Sequence, residues 1–98
     1  MFVVSITYTV DLSEVDPHIA AHIAYLETYY AAGNFIASGR KQPRTGGVIL
    51  AQAESKTALE KILQEDPFAK ANIAHYEITE FIPTKTAEGF EQLIDNQQ

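Results

Sequence analysis

The alternation of strand-like and helix-like hydrophobic patterns restricts the folds open to this chain. Strand-like patterns occupy residues 2–10, 34–39, 48–51 and 73–82, and helix-like patterns occupy residues 17–32 and 55–64. The order of elements is therefore β-α-β-β-α-β. Because crossovers between parallel strands are right-handed, this order favours an α+β fold, with a four-stranded antiparallel sheet and both helices on one face.

Local signals define the ends of the two helices. Asp16 is predicted to cap the first helix, Pro17 to occupy its first turn and Gly33 to end it. Ser55 is predicted to cap the second helix. The predicted inner stripes are Ile19, Ile23, Leu26 and Tyr30 in the first helix, and Ala58, Leu59, Ile62 and Leu63 in the second.

Two shorter helical segments complete the pattern. Residues 68–72 are predicted to form one more helical turn, and the tail from residue 86 to residue 98 places Phe90, Leu93 and Ile94 on one helical side. We therefore expect one domain over residues 1–98, in which residues 85–98 form a C-terminal helical extension.

Composition indicates the class of protein. The chain is 46% hydrophobic and has no cysteine, which is typical of a folded domain in a reducing compartment. Its apolar runs are far shorter than the roughly 20 residues of a transmembrane helix. The apolar N-terminus lacks the basic region and cleavage site of a signal peptide. We expect a cytoplasmic protein.

Charge narrows the possible partners. Thirteen acidic and seven basic residues give a net charge of −6, which repels phosphate backbones and anionic membranes, so neither nucleic acid nor a membrane is expected as a partner. Three cations, Arg40, Lys41 and Arg44, fall within five residues. Such a basic spot on an acidic protein can bind a small anion.

The sheet face that the helices leave open is predicted to be an interface. Strands 1 and 3 carry apolar or small side chains on that face. An open apolar face of this size normally contacts another surface. We therefore expect a homodimer that packs sheet against sheet.

His22 and Asp66 are the candidate catalytic pair. His22 lies on the predicted inner stripe of the first helix, and Pro67 pushes Asp66 toward an extended or turn backbone at the end of the second. A carboxylate can orient one nitrogen of an imidazole and leave the other for proton transfer. The alternatives are a core histidine bonded to a carbonyl and an aspartate that only caps a turn.

A metal site receives less support. His18 precedes His22 by four residues, a spacing that lets two imidazoles bind one ion. No third ligand is evident, Pro17 places His18 in an exposed first turn, and His75 has no evident partner. We expect no metal and no cofactor.

Ser38, Arg40, Arg44 and Tyr25 are the candidate substrate-binding residues. Arg44 stands between Pro43 and two glycines, where a guanidinium suits bidentate capture of a carboxylate, although a solvated hairpin has the same composition. Ser38 can donate a hydrogen bond to a ligand. Tyr25 lies near His22 at helical spacing, so it borders either the same pocket or a partner subunit.

These residues resemble the YciI-like (YCII-related) family over most of the chain, to about Pro83. The resemblance is carried by His22 and the segments Tyr25-Leu26, Phe35-Ile36-Ala37-Ser38-Gly39, Gly46-Gly47 and Asp66-Pro67-Phe68. It implies a ferredoxin-like fold that dimerises into an α/β-barrel-like assembly, with a pocket in each subunit. It also places the family's proposed catalytic pair on His22 and Asp66. Many relatives have proline where this chain has Arg40, which adds a cation at the pocket mouth.

The expected function is that of a small, dimeric, cofactor-free enzyme. His22 would exchange protons with a small oxygenated compound, anionic or phenolic, in an isomerisation, elimination or other proton transfer. One alternative is a non-catalytic ligand-binding or stress-associated module that uses the same pocket. The other is a purely structural dimer in which His22 and Asp66 are hydrogen-bonding partners of each other and have no role at a site.

Overall fold

The computed structural model describes residues 1–95. Its strands are β1 (Phe2–Tyr8), β2 (Phe35–Arg40), β3 (Gly46–Ala51) and β4 (Ala74–Glu80). Its helices are α1 (Leu12–Val15), α2 (Ile19–Ala31), α3 (Lys56–Leu63), α4 (Pro67–Lys70) and α5 (Gln92–Asp95), and a 3₁₀ turn, Asp16–His18, joins α1 to α2. Within the described residues, no helix has the length and apolarity needed to cross a bilayer.

The four strands form one antiparallel sheet in the order β2-β3-β1-β4. The central strand β1 pairs with β3, where Val4 lies opposite Ile49, and with β4, where Ile6 lies opposite Tyr76. This topology confirms the predicted α+β fold with its ferredoxin-like strand order. A register shift between Phe35 and Ala37 interrupts the pairing of β2 with β3.

Alternation along the strands produces the main core. Phe2, Val4 and Ile6 of β1 are buried, whereas Val3 and Ser5 between them are only partly covered. The buried residues of this core are Phe2, Val4, Ile6, Tyr25, Phe35, Ile49, Ala51, Leu59 and Leu63. The sheet therefore buries the face that carries the long helices and leaves its other face open, as the strand pattern predicted.

A second, smaller core fixes the turn that contains Asp66. It consists of Val15 from α1, Phe68 from α4 and Ile73, which lies just before β4. Burial of Phe68 anchors the short helix α4 against the start of the helical segment that leads into α2. The sequence pattern placed this turn correctly but did not identify its packing partners.

The first helical segment begins earlier than predicted, at Leu12 instead of Pro17. Asp16 has helical backbone angles, φ −53° and ψ −38°, and its side chain caps nothing; it accepts a hydrogen bond from Arg44 instead. The cause is tertiary: Val15 is fully buried against Phe68, and this contact holds the preceding residues in a helical turn. Ser55, by contrast, caps α3 as predicted, with Oγ accepting from the Ala58 amide at 3.0 Å.

The predicted inner stripe of α2 was correct at Ile19 and Leu26, which pack against the two cores, and wrong at Ile23 and Tyr30. Tyr25 is the buried residue of α2, at 8% exposure, whereas Ile23 is 49% exposed and Tyr30 is also exposed. Leu26 and Tyr29 pack beside Tyr25 on the main core. The helix thus rests on the sheet through its second half, and a cavity lies below its first half.

The C-terminal tail forms less helix than predicted. Within the described residues only Gln92–Asp95 is helical, and Phe90 is largely exposed. Residues 96–98 of the predicted docking helix lie outside the described residues.

Candidate functional site

A cavity of about 340 Å³ lies between the first half of α2 and the sheet. A Cβ at Gly46 would overlap the Ile6 backbone, so glycine there allows β3 to pack closely against β1 beside the cavity. The apolar lining consists of Ile6, Ile19, Ile23, Leu26, Val48, Ile49 and Phe68, and the polar side chains at the cavity are Tyr8, His22, Ser38, Arg40 and Arg44. An apolar cavity with a few converging polar groups is typical of a small-molecule site.

The Asp66-Pro67 sequence determines where the carboxylate sits. Asp66 adopts an extended backbone, φ −62° and ψ 129°, as expected before proline, and Pro67 occupies the first turn of α4. Asp66 Oδ1 accepts a hydrogen bond from the Phe68 amide at 3.0 Å, so the residue also caps α4. Its side chain is 0% exposed and does not reach the cavity.

His22 and Asp66 lie in direct contact across 44 residues of sequence. The Nδ1 atom of His22 is 2.8 Å from Oδ1 of Asp66. The imidazole lines the cavity, and the carboxylate lies behind it. The structure thus brings together the two residues that the sequence paired, with His22 as the member that can touch a ligand.

Tyr76 is a third member of this group that the sequence analysis missed. Its hydroxyl donates to Oδ2 of Asp66 at 2.6 Å. The sequence does contain a signal for this role. Tyr76 lies at an inward-facing position of β4, and a buried tyrosine hydroxyl needs a hydrogen-bond partner. Alternation placed Tyr76 on that face, but its partner could not be inferred from spacing.

The three contacts of Asp66 define which nitrogen of His22 carries a proton. The Phe68 amide and the Tyr76 hydroxyl both donate, so the carboxylate acts as an acceptor. Burial, with the negative charge of Asp66, raises the pKa of Tyr76 well above its ordinary value of 10, which keeps that phenol a donor. His22 therefore donates through Nδ1–H, and in the neutral imidazole Nε2 is the basic nitrogen.

Phe68 fixes the plane of the imidazole. Its ring is stacked on His22, with 4.0 Å between centroids and 11° between planes. A parallel aromatic ring at this distance restricts rotation and favours an imidazolium through its π face. The Asp66-Pro67-Phe68 element therefore supplies both the carboxylate and the stacking ring.

Ser38, Arg40 and Arg44 all line the cavity, on the side of β2 and the β2–β3 loop. The Arg44 guanidinium donates to Oδ1 of Asp16 at 2.8 Å. Ser38 Oγ lies 2.6 Å from the hydroxyl of Tyr30, so its hydrogen-bonding partner is a phenol and not His22. These residues are placed as the sequence predicted, and their binding role stays a prediction.

Tyr25 does not line the cavity, contrary to the sequence-based placement. It lies in the main core, and its hydroxyl donates to the Ile62 carbonyl of α3 at 2.7 Å. The helix phase explains the difference, because α2 turns Tyr25 toward the sheet while Ile23 faces the cavity. Neither other histidine joins the site: His18 lies in the 3₁₀ turn, and His75 is an exposed residue 3.6 Å from Glu77.

Replacing Tyr76 by phenylalanine should destabilise the protein more than replacing Tyr25. Tyr76→Phe removes a hydrogen bond to a charged group, which contributes about 1.5–3 kcal/mol, whereas Tyr25→Phe removes a neutral bond that contributes about 1 kcal/mol. Urea denaturation of both variants measures the difference in free energy of unfolding. Equal losses of stability in the Tyr76→Phe and Tyr25→Phe variants would contradict the view that Tyr76 donates to an ionised Asp66.

Comparison with known proteins gives one family match and a shared fold. Residues 1–82 match the YCII-related domain family. Among solved structures, the fold is similar to that of 5-chloro-2-hydroxyhydroquinone dehydrochlorinase from Burkholderia phenoliruptrix AC1100 in complex with 2,5-dihydroxybenzoquinone. The TM-score is 0.72 at 23% identity, over 82% of this chain and 91% of the other. No curated protein matches the chain.

The family match includes every residue of the site. His22, Asp66 and Tyr76 all lie within residues 1–82, and only the C-terminal tail lies outside them. The resemblance inferred from His22 and the Asp66-Pro67-Phe68 element is confirmed by this match. The protein belongs to the YCII-related domain family.

Proposed function

We propose that the protein is a small, cofactor-free enzyme in which His22 is the general acid and base for an oxygenated organic substrate. The observation that carries this proposal is the contact between His22 Nδ1 and the buried Asp66 carboxylate, beside a cavity that the imidazole lines. The contact leaves Nε2 as the nitrogen that exchanges a proton with a bound molecule.

The pair supports a two-step proton transfer. Nε2 of His22 takes a proton from a C–H or O–H group of the substrate, and the resulting imidazolium is stabilised by Asp66 and by the Phe68 ring. The imidazolium then gives a proton to another atom of the substrate, in an isomerisation, or to a departing group, in an elimination, and in D₂O the proton on Nε2 can exchange with the solvent first. Hydrolysis fits less well, because the Ser38 hydroxyl is bonded to Tyr30 and not to the base.

The cavity lining favours a ring compound with an anionic or phenolic oxygen. Apolar side chains form most of the wall, and two guanidinium groups, those of Arg40 and Arg44, lie at one side. Arginine binds carboxylate and phenolate oxygens through parallel N–H donors. The Burkholderia dehydrochlorinase of similar fold, with its bound dihydroxybenzoquinone, supports a small oxygenated ring as the substrate class.

A second candidate function is a ligand-binding module without catalysis. This function is favoured by the structural role of Asp66, which caps α4 and accepts hydrogen bonds from Tyr76 as well as His22. The pair would then only hold the cavity wall in place. This module binds the same compounds and releases them unchanged.

One NMR experiment separates the two functions. The protein is incubated in D₂O with 5-chloro-2-hydroxyhydroquinone, 2,5-dihydroxybenzoquinone, hydroxybenzoates and small keto acids, and both binding and the ligand C–H signals are followed. An enzyme replaces C–H by C–D or forms product with at least one compound, at a rate that requires His22. Binding without exchange or product supports the module and contradicts catalysis.

We further propose that the protein acts as a homodimer in a reducing compartment such as the cytoplasm. The supporting features are the open sheet face, with Val3 and Leu50 only partly covered, and the absence of cysteine. Sedimentation at micromolar concentration should give about twice the chain mass of 10.9 kDa. A stable monomer would contradict the dimer.

A further inference from the structure

The two cations at the cavity differ in their partners. Arg44 Nη2 is 2.8 Å from Oδ1 of Asp16. Arg40 also lines the cavity, and among the side chains described, those of residues 1–94, it has no ion-pair partner. The cavity therefore presents one guanidinium that already holds a carboxylate and one that does not.

Asp16 reaches Arg44 from a separate, stiffened part of the chain. It lies in the 3₁₀ turn between α1 and α2, followed by Pro17, while Arg44 follows Pro43 in the β2–β3 loop. Proline fixes a φ angle beside each of these residues, and the hydrogen bond between Arg44 and Asp16 joins the two segments at the cavity. The Asp16 carboxylate thus occupies one of the positions where an anionic group of a ligand would meet Arg44.

The ion pair between Arg44 and Asp16 is partly exposed. The Arg44 and Asp16 side chains are 36% and 58% exposed. Exposed ion pairs contribute little to stability, so removal of the Asp16 carboxylate should leave the fold intact. In the native protein the negative charge of Asp16 lies beside Arg44 at the cavity and repels a second anionic group of a ligand.

We propose that Asp16 is a specificity-determining residue that limits the cavity to ligands with a single anionic group. The anion of such a ligand binds Arg40, while Asp16 retains Arg44 and disfavours a second anion. This inference rests on the proposed function for the location of the ligand, and it adds the charge of the substrate class.

Binding of three small probes to the wild-type and Asp16→Asn proteins tests this role. Benzoate carries one anionic group, benzene-1,3-dicarboxylate carries two, and benzamide carries none; their dissociation constants are measured by NMR titration at low salt. The wild-type protein should prefer benzoate to the dicarboxylate. Asp16→Asn should tighten benzoate about threefold, tighten the dicarboxylate about tenfold or more, and leave benzamide unchanged.

Asp11→Asn is the matched control. Asp11 is an exposed acid just before α1 that forms no ion pair among the described residues, so its replacement changes the net charge equally without freeing Arg44. Equal tightening by both variants, or equal tightening of benzamide, would overturn the specificity role. Failure of benzoate to bind either protein would overturn it too, because Arg40 would then hold no anion. These titrations measure binding and not turnover, so their outcome is independent of the catalytic role proposed for His22.

Discussion

Replacement of Asp66 by alanine should lower the free energy of unfolding by about 3–5 kcal/mol. The variant removes a fully buried carboxylate and leaves three donors without their acceptor, those of His22, Phe68 and Tyr76. Removing one partner of a buried ionic group costs this much because the others stay desolvated. For a domain of 98 residues, such a loss is a large part of the total stability. Chemical denaturation with urea measures it.

The Asp66→Asn variant separates the structural and chemical roles of the carboxylate. Asparagine keeps an oxygen for the Phe68 amide and the His22 Nδ1–H, and the Tyr76 hydroxyl can rotate to accept from the new amide. We expect a loss of only about 1 kcal/mol in stability. Proton transfer should still fall strongly, because asparagine cannot neutralise an imidazolium. An alanine variant as stable as the wild type would contradict the hydrogen-bond network described for Asp66.

Replacement of His22 by glutamine should reduce turnover about 100- to 10,000-fold, the usual contribution of a positioned acid or base. The substrate is the compound from the NMR panel that exchanges or reacts. Glutamine keeps a donor toward Asp66 and fills a similar volume, so ligand binding should change little. Single-turnover rates and dissociation constants, measured on the same protein, separate the loss of chemistry from a loss of binding.

His18→Gln is the control for that variant. His18 lies four residues earlier, in the 3₁₀ turn, and is not part of the cavity lining. Its replacement should leave turnover within about twofold, as for a surface change away from the site. Wild-type turnover in the His22→Gln protein would remove the base from the proposed mechanism and favour the ligand-binding alternative.

Local chemistry explains which parts of the site were predictable. Proline restricts the backbone of the residue before it. The Asp66-Pro67 dipeptide was therefore enough to predict the extended conformation of Asp66 and the start of α4. The order of strand-like and helix-like patterns, with right-handed crossovers, likewise predicted the four-stranded antiparallel sheet. His22 was identified because an imidazole among apolar helical positions needs a polar partner, and Asp66 is that partner.

Tertiary packing explains what was missed. Burial of Val15 against Phe68 shifts the helix start and frees the Asp16 side chain to pair with Arg44, which no capping pattern indicates. The cavity below the first half of α2 changes which residues face the core, so Tyr25 is buried and Ile23 is not. These outcomes depend on contacts between segments, whereas the sequence signals act over a few residues.

The protonation of His22 tests the central claim most directly and needs no substrate. Long-range ¹H–¹⁵N NMR distinguishes Nδ1–H from Nε2–H in the neutral imidazole. Donation to the buried carboxylate predicts the proton on Nδ1 in the wild-type protein and a weaker preference for Nδ1 in Asp66→Asn, whose amide oxygen still accepts but carries no charge. A proton on Nε2 of the wild-type imidazole, with the same tautomer balance in Asp66→Asn, would contradict the proposed acid–base pair. The basic nitrogen would then face Asp66 and not the cavity.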